Sequence, residues 1–321
     1  MKFGAFVPQG WRMDLVGIPA DEQWPTILDA AKKIEQLGFD TAWVYDHFHT
    51  VPVPTQEATH ECWTLMAALA ATTDTIRLGQ MCTCNSYRLP SYMAKVATTV
   101  DIISGGRLEF AIGAGWYEHE YLAYGYEFPR AGIRIAQLDE AVQIIKQMWT
   151  EDESTFEGEY FSVKGAINQP KPLQDPHPPL WIAGGGEKKT LRTVAKYANY
   201  SNFAGIADAF AAKSKILDEH CEAVGRDPGE IGRTLHVMTT VVPDEASFRP
   251  VMERVAAQSG RDFDKYVASS QTVAGTPEQV IEKLGAFKDA GCVHVINYFS
   301  DVVWGDSLDL FATEVMPELS D

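Results

Sequence analysis

The chain has 321 residues, of which 45% are hydrophobic and 22% charged, and a formal net charge of −17. This composition rules out wholesale disorder and provides for a large core. Residues 1–160 carry 11 basic and 22 acidic residues, and residues 161–321 carry 16 and 22. Neither half is a basic module, which argues against a nucleic-acid partner or an anionic membrane surface.

Phe3–Val7 reads as a first strand, ended by Pro8. A helix runs from about Trp24, with Pro25 in its first turn and Ile27, Leu28, Ala31 and Ile34 on one face, and Gly38 stops it. Thr41–Tyr45 is the second strand, and a helix around Glu61–Ala71 leads to the third, Ile76–Cys82. A helix with Met93, Val96, Ala97, Val100 and Ile103 in register ends at Gly105-Gly106 and is followed by the strand Leu108–Ile112. The helix carrying Leu138, Ala141, Val142, Ile145 and Met148 is strongly amphipathic. Leu180–Ala183, Tyr200–Ala204, Leu235–Val242 and Val293–Phe299 complete a set of eight strands. Between them lie a helix through Leu191, Val194, Ala195 and Ala198, a helix Asp208–Val224, and one opened by Thr276-Pro277-Glu278-Gln279, a capping box with Pro at the first helical position.

Repeated strand-then-helix order implies right-handed crossovers and a parallel sheet. Length alone, at roughly 150 residues per domain, suggests two domains, but closed α/β barrels run past about 250 residues as one. Eight strands, and no Gly-rich fingerprint in Pro8-Gln9-Gly10-Trp11 after the first, favour a single (β/α)8 TIM barrel over an open doubly wound sheet. The surplus length falls in three insertions, at about 114–132, 150–179 and 243–275. Five cysteines, Cys62, Cys82, Cys84, Cys221 and Cys292, contain no CxxC, and their odd number fits reduced thiols. No signal-like segment and no run of 18 apolar residues occurs, so the protein is expected to be cytoplasmic.

In such a barrel the site is built from the loops at the C-terminal strand ends. After the second strand come Asp46 and His47; after the third, Thr83 to Arg88; after the fourth, Gly113-Ala114-Gly115-Trp116-Tyr117; after the fifth, Gly184-Gly185-Gly186. The three glycines either let backbone N–H groups approach a phosphate at a helix N-terminus, with Lys188, Lys189 and Arg192 nearby, or form a bare turn. Trp116 and Tyr117 either edge a planar ligand or fold back on the core. His47 is either a proton donor or one half of an Asp46–His47 pair that ties down a loop. Tyr87 and Arg88 are equally readable as surface residues at a helix entry. His47-x-His49 has the spacing of a zinc pair, with Asp301 as a third ligand, but no histidine stands after the fifth or sixth strand, and no metal is expected.

Several stretches together resemble the luciferase-like monooxygenase family, and within it the branch that depends on the deazaflavin coenzyme F420. They are Gly38 through His47, Ile76-Arg77-Leu78-Gly79, Asn85-Ser86-Tyr87-Arg88, Val100 through Trp116, Pro178 through Lys188 and Ala274-Gly275-Thr276-Pro277. The resemblance implies an oxidoreductase, usually a homodimer, holding F420 or alternatively FMN across the strand ends. By that analogy Gly184, Gly185 and Gly186 hold the cofactor phosphate and Asp46 lies near the cofactor. Met81 and Cys82 stand behind its ring, where relatives often carry a non-prolyl cis peptide, and Asn85, Gly115 and Trp116 border it. His47 would be the proton donor beside the substrate, and a flavin or F420 reductase would supply reduced cofactor. Two positions depart from the pattern. Trp116 replaces an acidic residue of the sugar-phosphate dehydrogenases, and Cys84 replaces a glycine. The implied activity is hydride transfer between F420 and a small organic molecule. The alternatives are an FMN-dependent two-component monooxygenase and a non-catalytic flavin-binding protein.

Overall fold

In a computed structural model, which describes residues 1–320, the alternating pattern closes on itself. Strands β1 (Lys2–Phe6), β2 (Thr41–Val44), β3 (Arg77–Gln80), β4 (Thr83–Cys84) and β5 (Leu108–Gly113) come from the first third of the chain. A hairpin of β6 (Ser154–Glu157) and β7 (Ser162–Ala166) precedes β8 (Leu180–Ala183), β9 (Tyr200–Asn202), β10 (Gly232–Val241), β11 (Thr272–Gly275) and β12 (Cys292–Phe299). Parallel pairing runs β12-β1-β2-β3-β5-β8-β9-β10 and returns to β12, with Phe3 opposite Val295 and Thr234 opposite both Asn202 and His294. This is the expected eight-stranded (β/α)8 barrel.

The interior is packed by pairing large residues with missing side chains. The Trp43 indole lies where Gly4 of β1 and Gly79 of β3 have no Cβ; a methyl added at Gly4 would meet Trp43 Nε1 at 2.6 Å. Trp43 meets Trp181 edge-on at 5.0 Å, and both meet His294. Alternating large and small residues in this way is how a small barrel fills its bore.

Helices α1 (Ala20–Gln36), α2 (Cys62–Thr72), α3 (Pro90–Ile103), α4 (Glu118–Ala123) and α5 (Ala131–Thr150) clothe the first half. Helices α6 (Thr190–Tyr197), α7 (Ala207–Val224), α8 (Glu245–Gln258), α9 (Phe263–Val267) and α10 (Pro277–Asp289) clothe the second. The capping box of α10 forms, with the backbone N–H of Thr276 donating to Gln279 Oε1 at 3.1 Å.

Three expectations need correction. Helix α1 begins at Ala20, so Pro25 lies beyond its first turn, and the exposed start of the helix tolerates the lost N–H. The third strand is not continuous to Cys82: it stops at Gln80, the Met81–Cys82 peptide is cis, and pairing with β5 resumes at Thr83–Cys84. The insertions are also structured. Residues 114–132 contain α4, residues 150–179 contain the β6–β7 hairpin, and residues 243–275 contain α8, α9 and β11. Strand β11 pairs with the far end of β10, Met238 to Val241, beyond the reach of β9. Among the described residues no helix is long and apolar enough to cross a membrane.

Candidate active site at the strand ends

A cavity of about 720 Å³ opens at the C-terminal ends of the strands, with Asp46, His47, Met81, Cys82, Gly115, Trp116, Gly184 and Gly186 in its wall. Two expected residues are not in that wall. Asn85 is buried at the start of a single helical turn, its Nδ2 without a partner, and Gly185 lies in a shallow groove beside Lys188 and Lys189. Arg192 lies in neither place.

His47 follows the end of β2, which Gln9 anchors by donating to the Tyr45 carbonyl at 2.8 Å and accepting from its N–H at 2.7 Å. The imidazole stacks on Trp11 at 4.1 Å, with 1° between the planes, and its Nδ1 is 2.7 Å from Glu120 Oε2. Glu120 is fully buried on α4 and is saturated with donors. Phe48 and His49 each donate a backbone N–H to Oε1 at 2.8 Å, and Tyr87 Oη donates to Oε2 at 2.9 Å. Burial raises the Glu120 carboxyl, but the His47 contact and the two N–H groups outweigh it and hold the group below the usual carboxylate range. An ionised Glu120 can only accept, so Nδ1 carries a proton and Nε2 is left for the cavity.

Asp46 does not pair with His47. It takes both Arg88 Nη groups, at 2.7 and 3.0 Å, and the Cys84 N–H at 2.8 Å, while Arg88 also donates to Glu61 Oε1 at 2.6 Å. Glu61 in turn caps α2 through the N–H groups of Trp63 and Thr64. Tyr87 and Arg88 are therefore not surface residues: they are the ties that fix the floor of the site. The cysteines in that floor are not nucleophiles, since burial pushes the Cys84 thiol up to about 12 and Cys82 upward as well.

Gly113 and Gly115 keep the turn after β5 close to the floor. A methyl at Gly113 would meet Cys82 Sγ at 2.5 Å, and Gly115 sits at φ +73° against Tyr121 and Cys84. Trp116 does not fold back on the core: it is 60% exposed, stacked on Tyr117 and edge-on to His47 at 5.8 Å.

The glycines after β8 do not lead straight into a helix, because Glu187–Lys189 intervene before α6 and Gly185 gives its carbonyl to Lys213 Nζ at 3.0 Å. The cation on the cavity side of that loop is Arg134. It comes from the first turn of α5, lies over the Phe128 ring at 3.9 Å, donates Nη1 to the Pro129 carbonyl and keeps a buried Nε without a partner. Ile135 borders the same groove as Gly185 and Gly186, so α5 and the glycine loop abut. Glu120 lies within the 114–132 insertion and Arg134 near the start of α5, and neither follows a strand directly, so no local pattern marks them. His47 and His49 have different partners: His47 Nδ1 meets Glu120, and His49 faces His119 at 5.0 Å. Asp301 closes its own loop by accepting from Ser307 Oγ at 2.7 Å.

Known proteins resemble this chain over most of its length. The chain is 26% identical to the F420-dependent glucose-6-phosphate dehydrogenase of Amycolatopsis mediterranei, over 91% of this chain and 94% of that one. It is 31% identical to the pyrimidine monooxygenase RutA of Stutzerimonas stutzeri, over 89% of this chain and 78% of that one. An F420-dependent secondary alcohol dehydrogenase, solved in complex with an F420-acetone adduct, superposes with a TM-score of 0.82 at 23% identity, over 100% of this chain and 99% of that one, a likeness of fold. The profile of one family matches residues 1–294, and the chain belongs to the luciferase-like monooxygenases.

Proposed function

We propose that this chain is an oxidoreductase that transfers a hydride between coenzyme F420 and a small organic molecule. The observation that carries the reading is His47, which lines a strand-end cavity with its Nδ1 fixed on an ionised, fully buried Glu120, leaving Nε2 as its free ring nitrogen. The residues present fit a flat phosphate-bearing group. Arg134 lines the same cavity as Gly184 and Gly186, and a guanidinium together with side-chain-free backbone suits a phosphate. The bare turn at Gly113 and Gly115 over Cys82 suits the edge of a flat ring. When bound, F420 supplies a carbon that takes or gives a hydride.

The chain's own part is binding and proton management. Arg134 would hold the phosphate, Met81, Cys82 and Trp116 would flank the ring, and Trp11 fixes the plane of the imidazole. Nε2 of His47 accepts a hydroxyl proton when substrate is oxidised and returns it in reduction, while Glu120 stabilises the imidazolium that forms.

A homodimer belongs to the same reading, supported by Leu89 and Tyr92, left 67% and 61% exposed around the start of α3; sedimentation velocity tests it. Five free thiols support a cytoplasmic setting. An FMN-dependent monooxygenase supplied by a reductase is the second reading, favoured by the likeness to RutA. Fluorescence titration with F420 and with FMN separates the two. F420 is expected to bind, and nanomolar FMN binding with no F420 binding overturns the proposal.

A further inference from the structure

The barrel mouth is rich in cations although the chain as a whole carries −17. Arg12, Arg134 and Arg261 line the cavity, and Asp46, the one acidic residue in its wall among the described residues, is neutralised by Arg88. Barrel order separates the three arginines. Arg134 and Gly184 follow β5 and β8, which are neighbours, whereas Arg12 and Arg261 follow β1 and β10, which flank β12 on the opposite side of the mouth. The cofactor reading above uses the first pair and leaves the second unexplained.

Arg12 is a built group with one role unfilled. Its guanidinium lies over Trp11, Tyr45 and Tyr298 at 4.6, 5.2 and 5.1 Å. Nε donates to Tyr45 Oη at 3.1 Å, and Nη1 reaches only the Met238 sulfur at 3.6 Å, a weak acceptor. The nearby carboxylate, Asp14, is spent on the N–H groups of Gln9 and Gly10 and on Tyr298 Oη. Asp14 is thus a charge partner whose two oxygens are bonded elsewhere, and the fork of Arg12 holds no anion directly, a place that a ligand carboxylate can fill. A side pocket next to it, shared by Arg12 and Arg261, mixes the apolar Val51 and Val255 with the polar Gln258 and Ser300 and has only about 10 Å³ of free space. An acid therefore reaches Arg12 from the main cavity, which both arginines also line. Arg12 lies over the Trp11 ring and His47 stacks on the same ring, so the two side chains share one aromatic neighbour at the mouth.

We propose that the substrate is a small carboxylic acid, with its carboxylate held by the fork of Arg12 and by Arg261 and its reacting carbon at His47. This rests on the hydride-transfer reading. For a 2-hydroxy acid, the C–H bond breaks and its hydrogen leaves with both electrons to F420. The hydroxyl proton passes to His47 Nε2 and the C=O bond forms; reduction of the oxo acid reverses each transfer. Arginine suits this task because its planar fork matches the two carboxylate oxygens.

The test is titration of the full chain with mandelate, lactate, mandelamide, lactamide and inorganic phosphate, read by quenching of tryptophan fluorescence, with F420 binding followed in parallel by its own emission. At least one acid is expected to bind ten-fold or more tightly than its amide, and Arg12→Gln should erase that preference while leaving amide binding in place. Should Arg12→Gln fail to melt cooperatively, Arg12→Lys and Arg261→Gln replace it, each expected to weaken the acid several-fold. Equal binding of acid and amide, no saturable binding of either acid, or tighter binding of phosphate than of both acids overturns the proposal. If F420 binds but acids are not preferred, the acid site alone is lost. If acids are preferred but F420 does not bind, the hydride-transfer reading falls and the acid site stands.

Discussion

At the scale of single residues the site is organised around one carboxylate. Glu120 accepts from two backbone N–H groups, a phenol and an imidazole, and every one of those donors belongs to a loop that shapes the cavity. Removing its charge should act through His47. Glu120→Gln leaves the imidazole without an anion to fix its tautomer, and turnover is expected to fall about 10²-fold or more. F420 affinity should change little, since Glu120 is not in the cavity wall. Steady-state kinetics together with a cofactor titration check this, and an unchanged turnover would remove His47 from the mechanism. Residue identity was legible for His47, Gly113, Gly115 and Gly184, because each follows an apolar run directly. It was not legible for Glu120, which lies 73 positions from its partner.

At the scale of elements, strands and helices emerge from local patterns, and their interruptions come from elsewhere. Strand β3 stops where the chain turns at Met81–Cys82, and no residue type in Gln80-Met81-Cys82-Thr83 announces that turn. The segment at 243–275 read as an insertion because it exceeds normal loop length, yet it holds two helices and a strand whose partner, β10, lies outside it. Inside the barrel, element spacing is set by complementarity. Gly79→Ala would drive a methyl into the Trp43 ring, within a layer that has no slack. A loss of about 1–3 kcal/mol is expected, measured as a lower urea midpoint at constant slope, and Trp43→Phe in the same chain should recover part of it. Equal midpoints for Gly79→Ala and the parent would mean that the layer relaxes.

At the scale of the whole molecule, the bore of the barrel is held by two neutral histidines. Trp43 Nε1 donates to Thr41 Oγ1 at 2.6 Å, so the threonine hydroxyl is free to donate to His294 Nε2 at 3.0 Å. Arg12 donates to Tyr45 Oη, which leaves the phenol proton for His236 Nε2 at 3.0 Å. Both rings accept at Nε2, and burial lowers each to about 3, helped at His236 by Arg12 and at His294 by Lys2 and the N-terminus. In the unfolded chain a histidine titrates near 6.5. Below that pH the unfolded state takes up protons that the native state refuses, so this stabilisation is complete above about pH 6.5 and is lost progressively toward pH 3. The melting temperature is therefore expected to fall between pH 7.5 and pH 4.5, and His294→Gln should flatten part of the slope. A melting temperature indifferent to pH over that range would contradict it.

The sequence by itself determined the alternation of strand and helix, the barrel and the loops that line the strand-end cavity. Each of these comes from apolar periodicity and glycine stops within some ten residues of chain. Only the tertiary structure decided the partners. Arg88 rather than His47 faces Asp46, Glu120 anchors the imidazole, and Arg134 and Arg12 stand at opposite sides of the mouth. The physical reason is one of range. Backbone hydrogen bonding and burial leave a periodic trace along the chain, whereas the meeting of two charges from different elements is fixed by barrel closure and leaves none.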